Sequence, residues 1–295
     1  MDRHSQDWTV AFQRSTQFSR RGFAATSLVA GFTLATGPLN AATIVTDAKG
    51  LDAGEVKVPV SDGEIPAYRA KPQGKTNRPV VLVVQEIFGV HEHIRDICRR
   101  FAKLGYYAIA PSLYAREGDP GKYDMNTVQQ LMTDIVAKVP DAQVMSDLDA
   151  TVKFASSDGA DAKRLGITGF CWGGRIVWLY AAHNPNLKAA VAWYGPLRGP
   201  TPPNPLRPKY PLNLVNELRA PVLGLYGGQD QGIKLSDIEE MRAELARAAK
   251  RNSKIQVFMD SGHGFFADYR PSYNEKDAKQ GWRDLLAWFK QHGVT

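Results

Sequence analysis

The chain is poor in cysteine, in histidine clusters and in long apolar runs. Its 295 residues hold two cysteines and six histidines. Cys98 and Cys171 are too few for a disulfide framework at this length, and no group of histidines stands near either to complete a metal site. The pair His91-x-His93 fits no metal-ligand spacing and reads as surface histidines at a helix start. No metal site is expected. An excess of one charge is also lacking. The net charge is +7, but four arginines and two aspartates fall in the first forty residues, so the remainder carries about +5. Later basic residues alternate with acids, as in IRDICRRFAK and IEEMRAELARAAKR. That mixture describes a solvated surface and excludes a nucleic-acid groove. There are no internal repeats, and beyond the N-terminus no segment approaches transmembrane length.

What the N-terminus does have is an address. Residues 19–35, SRRGFAATSLVAGFTLA, put two consecutive arginines and Phe23 ahead of a moderately apolar run that ends at Gly37-Pro38. Ala41 and Ala42 offer the small side chains a signal peptidase requires. Ser-Arg-Arg-x-Phe resembles a twin-arginine export signal. Thr26, Ser27, Gly31 and Thr33 interrupt the apolar run, which disfavours a stable span. The expectation is a signal over residues 1–42, no membrane anchor after its removal, and a periplasmic, monomeric protein with one domain over 43–295.

With 43% hydrophobic residues, that remainder can bury a large core. EVKVPVSDGEIPAYRA (55–70) reads as two short strands around a Ser-Asp-Gly turn. RPVVLVVQE (78–86) is a strand buried on both faces. Ile94, Ile97, Cys98, Phe101 and Leu104 recur at helical spacing before Gly105, and YYAIA follows as another buried strand. The alternation continues with a helix at 147–157, a strand at RLGITG, a helix at GRIVWLYAAH and strands at 189–195, 220–230 and 254–264. LSDIEEMRAELARAAKR and GWRDLLAWFKQHG are the last two helices. Such alternation predicts an α/β fold, a mostly parallel central sheet with helices on both faces. Two segments break the rhythm, 115–146 and the proline-rich GPLRGPTPPNPLRPKYP (195–211). Both follow strands, so both are expected over the carboxyl edge of the sheet, where sites in open α/β folds form.

The chemistry concentrates at GITGFCWGGRIVWLY, where a strand passes through Gly169-Phe170-Cys171-Trp172-Gly173 into a helix. This is a nucleophile elbow with cysteine in the serine position. The two glycines let strand and helix approach, and the helix start favours a thiolate. The Trp172 N–H is placed to serve an oxyanion. Cys98, on the apolar stripe of its helix, reads instead as a packed small hydrophobe. In this arrangement an acid and then a histidine follow, each after a later strand. LYGGQD supplies Asp230 and MDSGHGF supplies His263. Glu86 ends the strand VVLVVQE at the same mouth, among apolar neighbours expected to desolvate it so that it holds or accepts a proton. Tyr194, Phe265 and Arg270 are the candidate substrate contacts.

Together QEIFGVHEHIRDICRRFAKLGYYAIAPSLYAR, GFCWGG, WYG, GGQD and GHGF make residues 54–292 resemble the dienelactone hydrolase family of the α/β-hydrolase fold. The resemblance implies a Cys171–His263–Asp230 triad, with Glu86 contacting the thiol and moving its proton when substrate binds. It also implies an oxyanion hole from the backbone N–H groups of Ile87 and Trp172, and hydrolysis of a small lactone or ester through a thioester, without metal or cofactor. Gly264 stands where dienelactone-cleaving members have serine, and Ala267 where they have a substrate-binding arginine. Segment 115–146 offers no arginine beyond Arg116, which leaves Arg270, Arg198 and Arg207 as replacements. A non-catalytic binder of a small carbonyl ligand and a redox-responsive thiol protein are the alternatives from other classes.

Overall fold

The computed structural model describes residues 43–250 and 252–295; the expected export signal lies outside the described residues. The strands are β1 (Leu51–Val60), β2 (Gly63–Pro72), β3 (Pro79–Val84), β4 (Tyr107–Pro111), β5 (Asp161–Phe170), β6 (Ala189–Trp193), β7 (Val222–Gly227) and β8 (Lys254–Phe258). They form one sheet in the order β1-β2-β4-β3-β5-β6-β7-β8. The Ser61-Asp62-Gly63 turn sets β1 antiparallel to β2, with Val60 opposite Gly63. β2 is antiparallel to β4, and every later pair is parallel. All six residues of β3 are buried, as its unbroken β-branched run requires of a strand covered on both faces.

The helices are α1 (Glu92–Lys103), α2 (Val128–Asp134), α3 (Asp141–Ser157), α4 (Trp172–His183), α5 (Pro211–Leu214), α6 (Leu235–Arg247) and α7 (Glu275–Gln291). Alternation along β5 shows that they cover both faces. A Cβ on Gly166 would meet Phe289, just beside α7's Trp288, whereas one on Gly169 would meet the Gly173 carbonyl of α4. α1 shares the α7 face, with Phe101 ringed by Trp282 and Phe289 at 4.7 and 6.1 Å. α1 stops in a Schellman motif. Gly105, at φ 95°, lets its own N–H reach Ala102 and the Tyr106 N–H reach back to Phe101.

Several boundaries differ from the sequence reading. The helix expected at 147–157 begins at Asp141, directly after Pro140, whose fixed φ suits a helix entrance. The strands read through 230 and 264 end at Gly227 and Phe258. The loops beyond them are tied together. Gly228 donates to the Phe258 carbonyl at 2.8 Å and Gln229 to that of Ser261 at 2.9 Å. Since β4 lies on one side of β3 and β5 on the other, the strand order reverses at β3, and a crevice opens at its carboxyl end.

Candidate active site

Glu86 and Ile87 follow β3 and Cys171 follows β5, so the crevice is flanked by both. Cys171 has φ 54° and ψ −118°, a conformation an L-residue adopts at a cost of roughly 1–3 kcal/mol. The surroundings enforce it. Its N–H donates to the Trp193 carbonyl at 3.0 Å, and its own carbonyl accepts from Gly174 at 2.9 Å. A Cβ on Gly173 would lie 2.4 Å from the Gln85 carbonyl oxygen, and one on Gly169 would lie 2.6 Å from that of Gly173. The elbow glycines are therefore demanded by backbone contact. A second such contact, Gly174 against Gly195, escaped the sequence reading; a Cβ on either would come within 2.4 Å of the facing backbone. The Cys171 side chain is buried at the start of α4, while the amides of Ile87 and Trp172 donate to nothing among the described residues.

The tied loops after β7 and β8 bring Asp230 to His263. Asp230 Oδ1 accepts from the Gly232 and Ile233 amides at 2.8 and 3.1 Å, which leaves Oδ2 for His263 Nδ1 at 2.7 Å. The Cys171 sulfur lies beside the same ring and acts on its charge. Burial alone would strip the imidazole of its proton. The Asp230 carboxylate and the Cys171 sulfur outweigh it, so the His263 pKa is raised to about 10. The three residues expected to act together thus meet in space, from three separate strand ends.

Of the two roles expected for Glu86, holding a proton or accepting one, its surroundings suit the second. It is buried, but burial does not leave it protonated. Arg270 Nη2 lies 3.4 Å from its Oε2, Tyr269 donates to the same oxygen at 2.5 Å, and His91 Nε2 stands 3.3 Å away. Burial pushes its pKa up, yet the Arg270 charge and the His91 contacts overcome that, and the carboxyl stays well below its ordinary range. Its hydrogen bonds go to these groups and not to the Cys171 sulfur. His91 and His93 are likewise not surface residues. Both are buried, His91 on Glu86 and His93 on Asp268 at 3.1 Å. Burial, above all, holds His91 below its ordinary pKa in spite of Glu86. Tyr269, His91 and the Asp268–His93 pair are the site residues that sequence reasoning missed.

Of the candidate arginines, Arg270 alone reaches Glu86, and its Nε donates to the Tyr269 oxygen at 2.9 Å. Arg116 is occupied by Asp62 and Asp147, and Arg198 by Asp237 and Glu240. Arg207 lines a narrow cleft over the elbow with Ile87, Met132, Trp172 and Tyr210. Arg175 fixes that cleft's wall. It holds Asp141 through two 2.7 Å bonds, donates to the Lys209 carbonyl at 2.5 Å and stacks 4.2 Å over the Tyr210 ring. Tyr194 stands edge-on to His263 with ring centres 5.1 Å apart, and Phe265 supports it at 5.5 Å. Another cavity, of about 370 Å³, opens at the opposite end of the sheet between Lys49, Lys75, Arg78 and Lys103. Its lining stands by the amino ends of β3 and β4, whereas Cys171 follows the carboxyl end of β5. No group of three or more potential metal-ligating side chains occurs among the described residues, and no helix there is long and apolar enough to cross a membrane.

Residues 65–293 match the Dienelactone hydrolase family. A protein of Methylorubrum extorquens named as a putative carboxymethylenebutenolidase is 58% identical over 282 residues, 95% of each chain. One of the same name from Escherichia coli is 54% identical across 91% of this chain and 98% of its own length. The crystal structure titled as a putative dienelactone hydrolase from Klebsiella pneumoniae is 54% identical and superposes with a TM-score of 0.78, covering 82% of this chain and 99% of that one. Sheet order, strand-end placement of the polar residues and likeness along nearly the whole described chain converge, and the chain belongs to the dienelactone hydrolase family.

Proposed function

We propose that this hydrolase opens a small lactone or cleaves a small ester through a thioester on Cys171. The observation that carries the reading is the contact of a buried sulfur with an imidazole that Asp230 orients through a 2.7 Å bond. The sulfur attacks the acyl carbon, its proton having passed to His263. Negative charge developing on the carbonyl oxygen meets the uncommitted amides of Ile87 and Trp172. As the C–O bond breaks, His263 returns the proton to the departing oxygen. Water then attacks the thioester, gives a proton to the same imidazole, and releases the acid and the sulfur.

Glu86 enters as a carboxylate already ionised and held by Arg270, Tyr269 and His91. Release from Arg270 by an anionic substrate frees it to accept the Cys171 proton in place of His263 and to pass it on to the departing oxygen. The relatives named carboxymethylenebutenolidase support a lactone as the substrate class. Replacing Cys171 with alanine abolishes hydrolysis of p-nitrophenyl acetate, while Cys98→Ala leaves most of it; equal loss in the two variants contradicts the assignment. We further propose twin-arginine export, supported by Ser19-Arg20-Arg21-Gly22-Phe23. Substituting both arginines with lysine then retains the protein in the cytoplasm on fractionation, and unchanged periplasmic recovery refutes it.

A further inference from the structure

We propose that Tyr194 is a catalytic residue whose hydroxyl donates a hydrogen bond to the departing oxygen of the substrate. The proposal rests on the reading of Cys171 and His263 given above. Tyr194 follows β6 with φ 37°, a left-handed conformation that a bulky side chain adopts only under constraint. Its N–H is tied to the Leu225 carbonyl at 2.8 Å, which pins the residue at the carboxyl end of β6 and β7. The side chain is fully buried, with its ring against His263, Phe265 and Phe170. Its hydroxyl nevertheless has no hydrogen-bond partner among the described residues. A buried, unpaired hydroxyl is costly, and phenylalanine would pack there equally well. Strain and an orphaned donor therefore coincide in one residue at the reaction centre, and neither has a structural return.

The position indicates what the hydroxyl serves. Cys171, Glu86, Tyr269 and Arg270 are all within its electrostatic reach. The ring leans on His263, the group that returns a proton to the leaving oxygen. The amides assigned to the carbonyl oxygen belong to Ile87 and Trp172, whose cleft is bounded by Met132, Pro196, Arg207 and Tyr210 and not by Tyr194. The contact of its ring with His263, the carrier of the leaving group's proton, assigns the hydroxyl to the departing oxygen. When the acyl C–O bond breaks, the electron pair goes to the departing oxygen and the proton comes from His263. Tyr194 keeps its own proton throughout, which accords with burial holding it well above the usual phenol range. The competing partner is Glu86 Oε1, which also lacks one.

The test compares kcat/KM of Tyr194→Phe on p-nitrophenyl acetate, whose leaving group needs no help, and on ethyl acetate, whose leaving group does. The expected loss is roughly 10–100-fold on ethyl acetate, as for one hydrogen bond to a developing charge, and under about 3-fold on the activated ester. Equal loss on both, as service to Glu86 or a structural role would give, overturns the proposal, and so does no loss on either. Cys171→Ala is assayed alongside. Its retention of activity would sink the nucleophile reading itself, a failure separate from that of Tyr194.

Discussion

Arg270→Met is the perturbation that bears hardest on the buried charges around Glu86. Methionine keeps the length and apolar character of the stem and removes the guanidinium 3.4 Å from Oε2. Glu86 is then buried with Tyr269, His91 and the neighbouring His93 to offset its desolvation. Breaking a buried pair from one side costs about 3–5 kcal/mol. The cost depends on pH, with a definite sign. In the native protein the Glu86 pKa is depressed below its ordinary 4.5, so its contribution to stability is present above pH 4.5 and is lost as pH falls through the folded value. Without Arg270 the folded pKa rises, each unit being worth about 1.36 kcal/mol. Once it exceeds 4.5, the ionised form opposes folding as pH increases. Urea unfolding at pH 4 and pH 7 should therefore show a gap between native and variant that widens with pH, and Glu86→Gln on the Arg270→Met background should recover part of it. A gap below about 1 kcal/mol at pH 7, or one equal at both pH values, would refute the reasoning.

Two further outcomes follow from the elbow and the imidazole. The His263 pKa is raised from 6.5 to about 10, so its contribution to stability is full below pH 6.5 and lost as pH rises toward 10. His263→Gln should flatten the fall in unfolding free energy over that window by a few kcal/mol, about what such a shift is worth, and an unchanged slope counts against the pairing. Gly173→Ala sets a methyl 2.4 Å from the Gln85 oxygen, a backbone atom that cannot step aside cheaply. A lowered melting temperature, equivalent to about 1–3 kcal/mol, and loss of esterase activity are expected; a stable, active variant would show that the approach of α4 to β3 is not required.

The strands and the elbow were legible because their signals are local. PVVLVV is buried along its whole length, and Gly169 and Gly173 flank a turn whose tightness only glycine permits. Asp230 and His263 were legible because each lies in the loop after a later strand in chain order, past Gly227 and Phe258 respectively. What surrounds Glu86 was not legible. Tyr269 comes from 183 residues away and Arg270 from 184, and no local pattern announces such a meeting. His91 and His93 misled for the same reason. A polar helix start looks solvated until Glu86 and Asp268 are seen closing over it, the latter from 175 residues on. The one available hint was the run of aromatic and charged residues after His263, FFADYR, too dense for an ordinary surface loop. The early start of α3 was readable at Pro140, a residue favoured at helix entrances.

The most direct measurement is to identify the residue that carries the acyl group. Protein quenched in acid during turnover of p-nitrophenyl acetate, digested and examined by mass spectrometry, should carry a single acetyl on the peptide containing Cys171. That label should vanish on treatment with hydroxylamine at neutral pH, as a thioester does. Ester turnover with Cys171 unlabelled at every time point, and the acetyl on another side chain or on none, would mean that the sulfur at the head of α4 is not the group that captures substrate.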